Sequence, residues 1–245
     1  AKAIEILNAW AWRLKKVSGI DGVLASGLQG FKFVNAAELI RYTDAGWTEA
    51  EARRCEASFK NAWLPTIEHY AYFANGNWET AALQTKMAIA VFCNDRELFE
   101  ETVRYAVNGC GNGSIPHMIV YPTGQCQETT RAQHYVQLGI GLLTGAAEVA
   151  WQQGVDLYGW NDNLILKGHE YTAKYGIGED VPYRHYLDRT GKYGFGGRNN
   201  YYTKIYTASR GNFWPIFERP YQHYAKRRGV AAPYPGRVVE QKRPE

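Results

Sequence analysis

Residues 127–135 form a dense group of polar side chains, and an apolar run follows them directly. If a helix starts here, Glu128, Arg131 and Tyr135 lie at positions i, i+3 and i+7 and share one helix face, with His134 beside them. Tyrosine and histidine can move protons and arginine can neutralise an anion, so this group is a candidate catalytic site. The alternative is a salt-bridged helix start, where the helix dipole favours Glu128.

A second candidate group is the segment NGNWE, residues 75–79, at a predicted helix start. Asn77 is a typical N-cap residue and Trp78 a typical packing residue, so both can be structural. The same side chains can also bind a substrate, because an amide donates hydrogen bonds and an indole stacks on rings.

A third group lies in the segment RGNFWPIFERPYQHYAKRRG, which begins at Arg210. Glu218, Tyr221 and Tyr224 are three residues apart on one predicted helical face, and His223 adjoins them. An internal proline predicts a kink in this helix. The alternative is a helix whose aromatic side chains only pack.

Composition and missing motifs exclude several protein classes. No stretch approaches the about 18 apolar residues of a membrane-spanning helix, so no membrane partner is expected. Basic residues concentrate after Arg184 and favour a polyanionic partner, but no nucleic-acid-binding signature is present and nucleic acid is not expected. The sequence lacks GxSxG, P-loop, GxGxxG, HExxH and CxxC motifs, and its histidines lack ligand spacing, so no cofactor and no catalytic metal are expected.

Helical periodicity dominates the 245 residues and predicts an all-α fold in one domain, 1–245. Antiparallel helices joined by short turns favour a bundle or an (α/α) toroid, whose helix ends and loops surround one cleft. The predicted N-terminal elements are a helix over 1–17, a glycine-rich turn over 19–30 and a helix near 34–42. The next helices are one opened by a Thr48–Glu51 capping box and two capped by Asn77 and Asp95. A hairpin or loop over 109–124, helices over 129–153 and 160–175, a loop over 176–212, a helix over 213–228 and a tail complete the predicted chain.

The four cysteines match no metal-ligand spacing and leave two interpretations open. Cys55 with Cys93, and Cys110 with Cys126, can form two disulfides if the neighbouring elements bring them together. Alternatively, all four are buried thiols.

Several segments carry a resemblance to a known family: NGNWE, QETTRAQHYVQLGIGLLTGAAEVAWQQGVDLY, LKGHEYTAKY and PIFERPYQHY. Over about Ala36 to Pro235 the sequence resembles the alginate-lyase-domain superfamily of polysaccharide lyases, and within it the glucuronan lyase branch most. The resemblance implies an (α/α) toroid, secreted or periplasmic, that cuts an acidic, uronic-acid polysaccharide. Members carry further helices ahead of Ala1, which lies inside a predicted helix, so we expect a processed or truncated chain. An N-terminal fragment or a second chain would then complete the toroid, and an export signal could have preceded Ala1.

The family reaction is β-elimination. A base removes the C5 proton next to the uronate carboxylate, and asparagine, histidine or arginine donors neutralise that carboxylate. One tyrosine can act as base and then as acid, provided that a neighbouring cation lowers its pKa from about 10.

The resemblance also assigns roles to residues. Asn77 resembles the carboxylate-binding asparagine, and the family's Gln-Gly-His corresponds to Gln133-His134-Tyr135, so the catalytic position is Tyr135 or, shifted by one residue, His134. The segment PYQHY resembles the family motif YNHY, and the family's Arg–Tyr pair has several candidates in the preceding loop. The expected catalytic residues are Tyr135, His134, Arg131, Asn77, Tyr202 and Tyr221, and the expected substrate-binding residues are Trp78, Glu128, Gln133, Arg198, Tyr201, Arg210 and His223.

Two alternatives to a lyase remain open on the sequence. A glycoside hydrolase on the same helical scaffold can use paired carboxylates such as Glu128 and Asp180. A non-catalytic polysaccharide-binding protein can keep the cleft without the chemistry.

Overall fold

The computed structural model describes residues 1–185 and 204–243, and it is 63% helix and 2% strand. The predicted all-α fold class is therefore confirmed. The helices are α1 (Lys2–Arg13), α2 (Gly22–Arg41), α3 (Glu49–Ser58), α4 (Leu64–Ile67), α5 (Gly76–Phe92), α6 (Arg96–Asn108), α7 (Ile115–Met118), α8 (Gln133–Gln152), α9 (Trp160–Gly176), α10 (Glu218–Tyr221) and α11 (Pro233–Lys242). Strands β1 (Ile119–Val120) and β2 (Gln125–Cys126) form an antiparallel hairpin, and π-helical turns at Phe59–Trp63 and Gln222–Arg227 continue α3 and α10.

Helix α5 is the central element of the described chain, because it packs against both α2 and α8. Every residue of α5 except Trp78 and Val91 is buried, including the polar side chains of Glu79, Gln84 and Lys86. Leu83 and Met87 join the core formed with α8, whereas Ile89 joins the core formed with α2 and α3. Each such side chain contributes about 1.5–3 kcal/mol by leaving water.

The glycine-rich stretch does not form the predicted turn; most of it lies inside α2. A Cβ atom at Gly27 would lie 2.6 Å from the carbonyl carbon of Ala81, and one at Gly30 would lie 2.8 Å from Thr85 Cγ2. The glycines therefore let α2 approach α5 closely. The prediction of a turn was wrong because glycine serves both purposes, and the choice depends on a distant helix.

The helix starts test the capping predictions. Thr48 and Glu51 form the predicted capping box of α3, and the Asp95 carboxylate accepts from Leu98 N–H at 3.1 Å, so both predictions are confirmed. The prediction that Asn77 caps α5 was wrong. The N-cap position belongs to Asn75, and Asn77 lies buried in the first turn.

The C-terminal region differs most from the prediction. The helix expected from residue 213 starts only at Glu218, and the expected tail forms α11. Helix α11 buries Val238 and Val239 against Phe217 and Ala173. This partner surface comes from α9 and from the segment before α10, so the short sequence of α11 alone does not reveal it.

Two further expectations concern the cysteines and membranes. None of the four cysteines, all of which lie within the described ranges, forms a disulfide, so the disulfide interpretation is not supported. Cys126 is buried, and its Sγ lies 3.7 Å from Thr172 Oγ1. Across residues 1–185 and 204–243, each helix is too short or too polar to span a lipid bilayer.

Candidate active site

The start of helix α5 meets the polar segment that precedes helix α8. The first N–H groups of a helix have no partner within that helix. Here Gly76 N–H donates to Gln127 Oε1 at 3.0 Å, and Asn77 N–H donates to Glu128 Oε2 at 2.9 Å. Side chains distant in sequence thus cap α5 and hold it against the residues leading into α8.

Glu128 is the centre of this junction and is fully buried, with 0% of its surface exposed. The Asn77 amide donates to Oε1 at 2.6 Å and to Oε2 at 2.8 Å, and Arg131 Nη1 also donates to Oε1. Burial raises the pKa of Glu128, whereas Arg131 and the Asn77 donors act in the opposite direction. The carboxylate is therefore occupied by protein partners and is not positioned as an accessible acid or base.

Arg131 connects this buried carboxylate to a half-exposed cluster. Its guanidinium carbon lies 3.7 Å from the ring centroid of Tyr135, and the rings of His134 and Tyr135 lie 4.1 Å apart. The Arg131 side chain is 30% exposed. Within the described ranges, the Tyr135 hydroxyl forms no hydrogen bond. The cluster thus places a cation, an imidazole and a phenol at one accessible helix start.

Gln133 has a structural position rather than an exposed one. Its backbone N–H donates to Ala208 O at 2.8 Å, and its side-chain amide donates to Tyr206 O at 2.8 Å. It is 4% exposed. Gln133 therefore fastens the segment 206–209 across the start of α8.

This segment brings in residues that the sequence analysis did not identify. Ser209 Oγ lies 3.2 Å from His134 Nδ1, and the Trp214 ring stacks at 6.0 Å from the His134 ring. Tyr206 is 38% exposed, and its backbone oxygen accepts from the Gln133 side chain. These residues are far from His134 in the chain, and no local pattern signals their proximity.

The polar segment before α8 and the start of α5 lie within a match to a known protein family. The family model described as alginate lyase matches residues 1–181. The chain belongs to the alginate lyase family. The match contains α5, α8 and the polar segment between them, and it ends before Tyr206. A search of curated protein sequences found no match.

A solved structure shares the fold. The chain is similar to an alginate lyase, A1-III, in which one histidine is replaced by alanine and which was solved in complex with a tetrasaccharide. The two are 18% identical with a TM-score of 0.60, and the similarity covers 72% of this chain and 53% of that one. The chain thus spans about half the length of that lyase, and the likeness supports the fold alone.

Arg210 and Tyr221, which were also expected at the site, contact other parts of the molecule. Arg210 donates from Nε to Tyr175 O at 2.8 Å and from Nη2 to Glu179 O at 3.1 Å, so it binds the end of α9. Tyr221 contacts the position of Gly236 in α11. Trp78 is half-buried and contacts Phe73, 6.2 Å away between ring centroids.

His223 is also remote from the start of α8. It is 1% exposed and lies at 4.7 Å from the Trp151 ring, near the last residue of α8, while its ring stacks on Tyr158 at 3.7 Å. Helix α8 has 20 residues, so its two ends are about 30 Å apart. Burial, together with Arg227, lowers the pKa of His223 to about 4. The structure therefore does not bring Tyr221 and His223 to the Arg131 cluster.

Arg198, Tyr201 and Tyr202, which were also expected at the site, lie outside the described residues, so the structure does not place them. Within residues 1–185 and 204–243, no group of three or more His, Cys, Asp or Glu side chains could hold a metal ion.

Proposed function

We propose that this alginate lyase family chain acts in the cleavage of a β-1,4-linked polyuronate by β-elimination at the start of α8. The substrate is glucuronan or a mannuronate-containing alginate. The observation that carries the proposal is Arg131, whose guanidinium lies 3.7 Å from the Tyr135 ring centroid beside His134. A cation and a proton-transferring side chain at one accessible place are what this elimination requires.

Neutralising the uronate carboxylate is the main catalytic task, because the C5 proton is very weakly acidic while the carboxylate keeps its charge. A guanidinium has five N–H donors, and Glu128 Oε1 takes a hydrogen bond from Nη1 of Arg131. The remaining donors of Arg131, with His134, are assigned to the substrate carboxylate. Such electrostatic stabilisation of developing charge lowers a barrier by several kcal/mol.

Tyr135 is assigned the proton transfers. Its phenolate form removes the C5 proton and becomes the hydroxyl, and the C4–O bond breaks as the new double bond forms. The hydroxyl then gives this proton to the leaving oxygen and the phenolate is restored, when both proton positions lie on one face of the sugar. Arg131 places its positive charge beside this phenolate, with its guanidinium carbon 3.7 Å from the Tyr135 ring centroid. Tyr221 points into α11 contacts, which supports Tyr135 over Tyr221 for this role.

Asn77 takes a positioning role in this proposal. Its amide nitrogen donates to the Glu128 carboxylate, which in turn accepts from Arg131. Asn77 therefore orients the Glu128 carboxylate, which orients Arg131. The resemblance implies that Asn77 contacts the substrate carboxylate directly, and this proposal assigns that contact to Arg131 and His134 instead.

The choice of polymer combines two lines of support. The sequence motifs resemble the glucuronan lyase branch most, whereas the family model and the solved relative are named for alginate. Both polymers present a C5 proton beside a carboxylate and a leaving oxygen at C4. A polymer of this size does not cross a membrane unaided, so we assign the activity to the secreted or periplasmic space.

The burial of Glu128 supports elimination over hydrolysis. A hydrolase needs two carboxyl groups in contact with the substrate. Glu128 is 0% exposed and already bonded to Asn77 and Arg131, so it is a poor partner for Asp180 in such a pair.

The test is incubation with glucuronan, polymannuronate, polyguluronate and hyaluronan, with the ultraviolet absorbance of the conjugated unsaturated product as readout. A rise with glucuronan or polymannuronate is the expected result. New reducing ends without that absorbance contradict elimination and indicate a hydrolase. Binding without either product indicates a polysaccharide-binding protein.

A further inference from the structure

Three aromatic side chains form a row at the turn before α5 and on its first turn. Tyr72 is 58% exposed and Phe73 is 38% exposed. The ring centroids of Tyr72 and Phe73 lie 5.9 Å apart, and those of Phe73 and Trp78 lie 6.2 Å apart, both edge to face. Adjacent aromatic rings at a protein surface are typical of binding sites rather than of inert surface.

The row lies at the helix start that is capped by the polar segment of the proposed site. Trp78 follows Asn77 in the first turn of α5, and Asn77 binds the Glu128 carboxylate to which Arg131 donates. The aromatic row therefore lies at the helix start that Gln127 and Glu128 cap, and Arg131 donates to the same Glu128.

The turn that carries the row is held from within by Tyr70. Tyr70 has a φ of 54°, a left-handed conformation that bulky residues rarely adopt. Its ring stacks on Tyr105 at 3.6 Å, its hydroxyl donates to Glu101 at 2.9 Å, and Lys86 Nζ lies 4.2 Å from its ring centroid. These contacts compensate for the unfavourable backbone conformation.

A second anchor holds the other end of the turn. Ala71 and Ala74 are buried, and the Asn112 side chain donates to Ala74 O at 2.9 Å. With Tyr70 and Ala74 fixed, Tyr72 and Phe73 project outwards from a rigid turn. Rigid side chains lose little conformational entropy when a ligand binds.

We propose that Tyr72 and Phe73 form a platform for a sugar ring of the polyuronate, beyond the ring whose bond is cleaved. A pyranose ring has an apolar face of C–H groups that packs on aromatic rings, while its hydroxyls and carboxylate stay in water. A chain of such rings suits a row of aromatic side chains at the helix start that Glu128 caps. This assignment rests on the proposed function for the identity of the polymer.

The test compares the Tyr72→Ala/Phe73→Ala double variant with a Tyr42→Ala control, since Tyr42 is 73% exposed at the end of α2. The platform predicts a KM for the polymer that rises about tenfold in the double variant, with kcat little changed and the control unaffected. The shortest oligosaccharide that is cleaved should show no change, because it does not reach the platform. Equal KM values for the double variant and the control overturn the platform and leave the proposed function standing.

A binding measurement separates the platform from the chemistry. In native gels containing glucuronan or polymannuronate, the unmodified chain and Tyr42→Ala should be retarded, and the double variant should migrate faster. If retardation is lost in the double variant while no unsaturated product forms with any variant, the platform holds and the elimination proposal fails. Unchanged retardation overturns the platform, as does a change of oligomeric state in the double variant on size-exclusion chromatography, because the row would then contact a second copy of the chain.

Discussion

The side-chain amide nitrogen of Asn77 lies within hydrogen-bond distance of both oxygens of the buried Glu128 carboxylate, at 2.6 Å from Oε1 and 2.8 Å from Oε2. Asn77 lies in the first turn of α5 and Glu128 lies in the segment before α8, so this contact joins the two. The contact also fixes the orientation of the Glu128 carboxylate, which accepts a hydrogen bond from Arg131. The catalytic cluster therefore depends on a neutral amide at position 77.

Asn77→Asp replaces this donor with a second carboxylate beside Glu128. We expect a loss of about 3 kcal/mol in the free energy of unfolding, because an uncompensated charge is then buried. Urea unfolding measures the change. Asn35→Asp is the matched control, since Asn35 is exposed on α2. Equal stabilities of the two variants would show that the Asn77–Glu128 contact contributes little.

Arg131→Ala removes the cation from both Glu128 and Tyr135. We expect the rate of unsaturated product formation to fall by about 10²–10³-fold, because the carboxylate of the substrate is no longer neutralised. Stability also falls, since Glu128 keeps a buried charge without its partner. The double variant Glu128→Gln/Arg131→Ala separates the two effects.

In this double variant, unfolding measurements should show recovered stability while activity stays low. Recovery of both would mean that Arg131 acts only by balancing Glu128. Arg53→Ala, at an exposed ion pair on α3, serves as the control for removing an arginine.

Tyr135→Phe deletes the hydroxyl and keeps the ring against Arg131 and His134. We expect stability to change by less than about 0.5 kcal/mol, because the hydroxyl has no hydrogen bond among the described residues. Product formation should fall by about 10²–10⁴-fold. Tyr221→Phe should stay active. Full activity of Tyr135→Phe together with an inactive Tyr206→Phe would move the proton transfer to Tyr206.

Gly27→Ala tests the close approach of α2 to α5. The new Cβ would lie 2.6 Å from the backbone carbonyl carbon of Ala81, which cannot move aside. We expect destabilisation by about 1–3 kcal/mol. Gly22→Ala is the control, because its nearest neighbour is Thr66 Cγ2 at an ordinary 3.7 Å. Similar melting temperatures for the two variants would contradict tight packing at position 27.

His169 predicts a pH dependence of stability. It is fully buried, its Nε2 lies 2.7 Å from Thr144 Oγ1, and burial lowers its pKa to about 3. In the unfolded chain the pKa of this histidine is about 6.5, so as the pH falls the unfolded state takes up its proton at a higher pH than the folded state does. The free energy of unfolding is then highest above about pH 6.5 and falls as the pH drops towards about 3.

From about pH 7.5 to about pH 5, His169 alone should cost about 2 kcal/mol. His169→Gln can still donate to Thr144 and does not titrate. Urea unfolding of both proteins at the two pH values gives the contribution of His169 as the difference between their losses. If both proteins lose the same stability, His169 does not carry the effect.

Local patterns predicted the elements that local interactions define. The capping box of Thr48 with Glu51 and the cap of Asp95 need only residues three positions apart, and both were confirmed. The long apolar stripe of α8 was equally visible, but the helix starts at Gln133, so Arg131 lies before it and meets Tyr135 through the turn that leads into the helix. The class of fold followed from these helices.

Contacts between distant segments were decided by the tertiary structure. The local sequence predicts a turn at Gly27, but this residue lies in a helix packed closely against Ala81. The local sequence likewise predicts a helix cap at Asn77, but the Asn77 amide donates to Glu128. The segment 206–209 reaches His134 only because Gln133 binds its backbone. The sequence by itself determined the class of fold, the capped helices α3 and α6 and the local polar cluster, since each depends on neighbours along the chain. Only the tertiary structure decided which donors that cluster still has for a substrate, because buried polar groups must find partners wherever packing brings them.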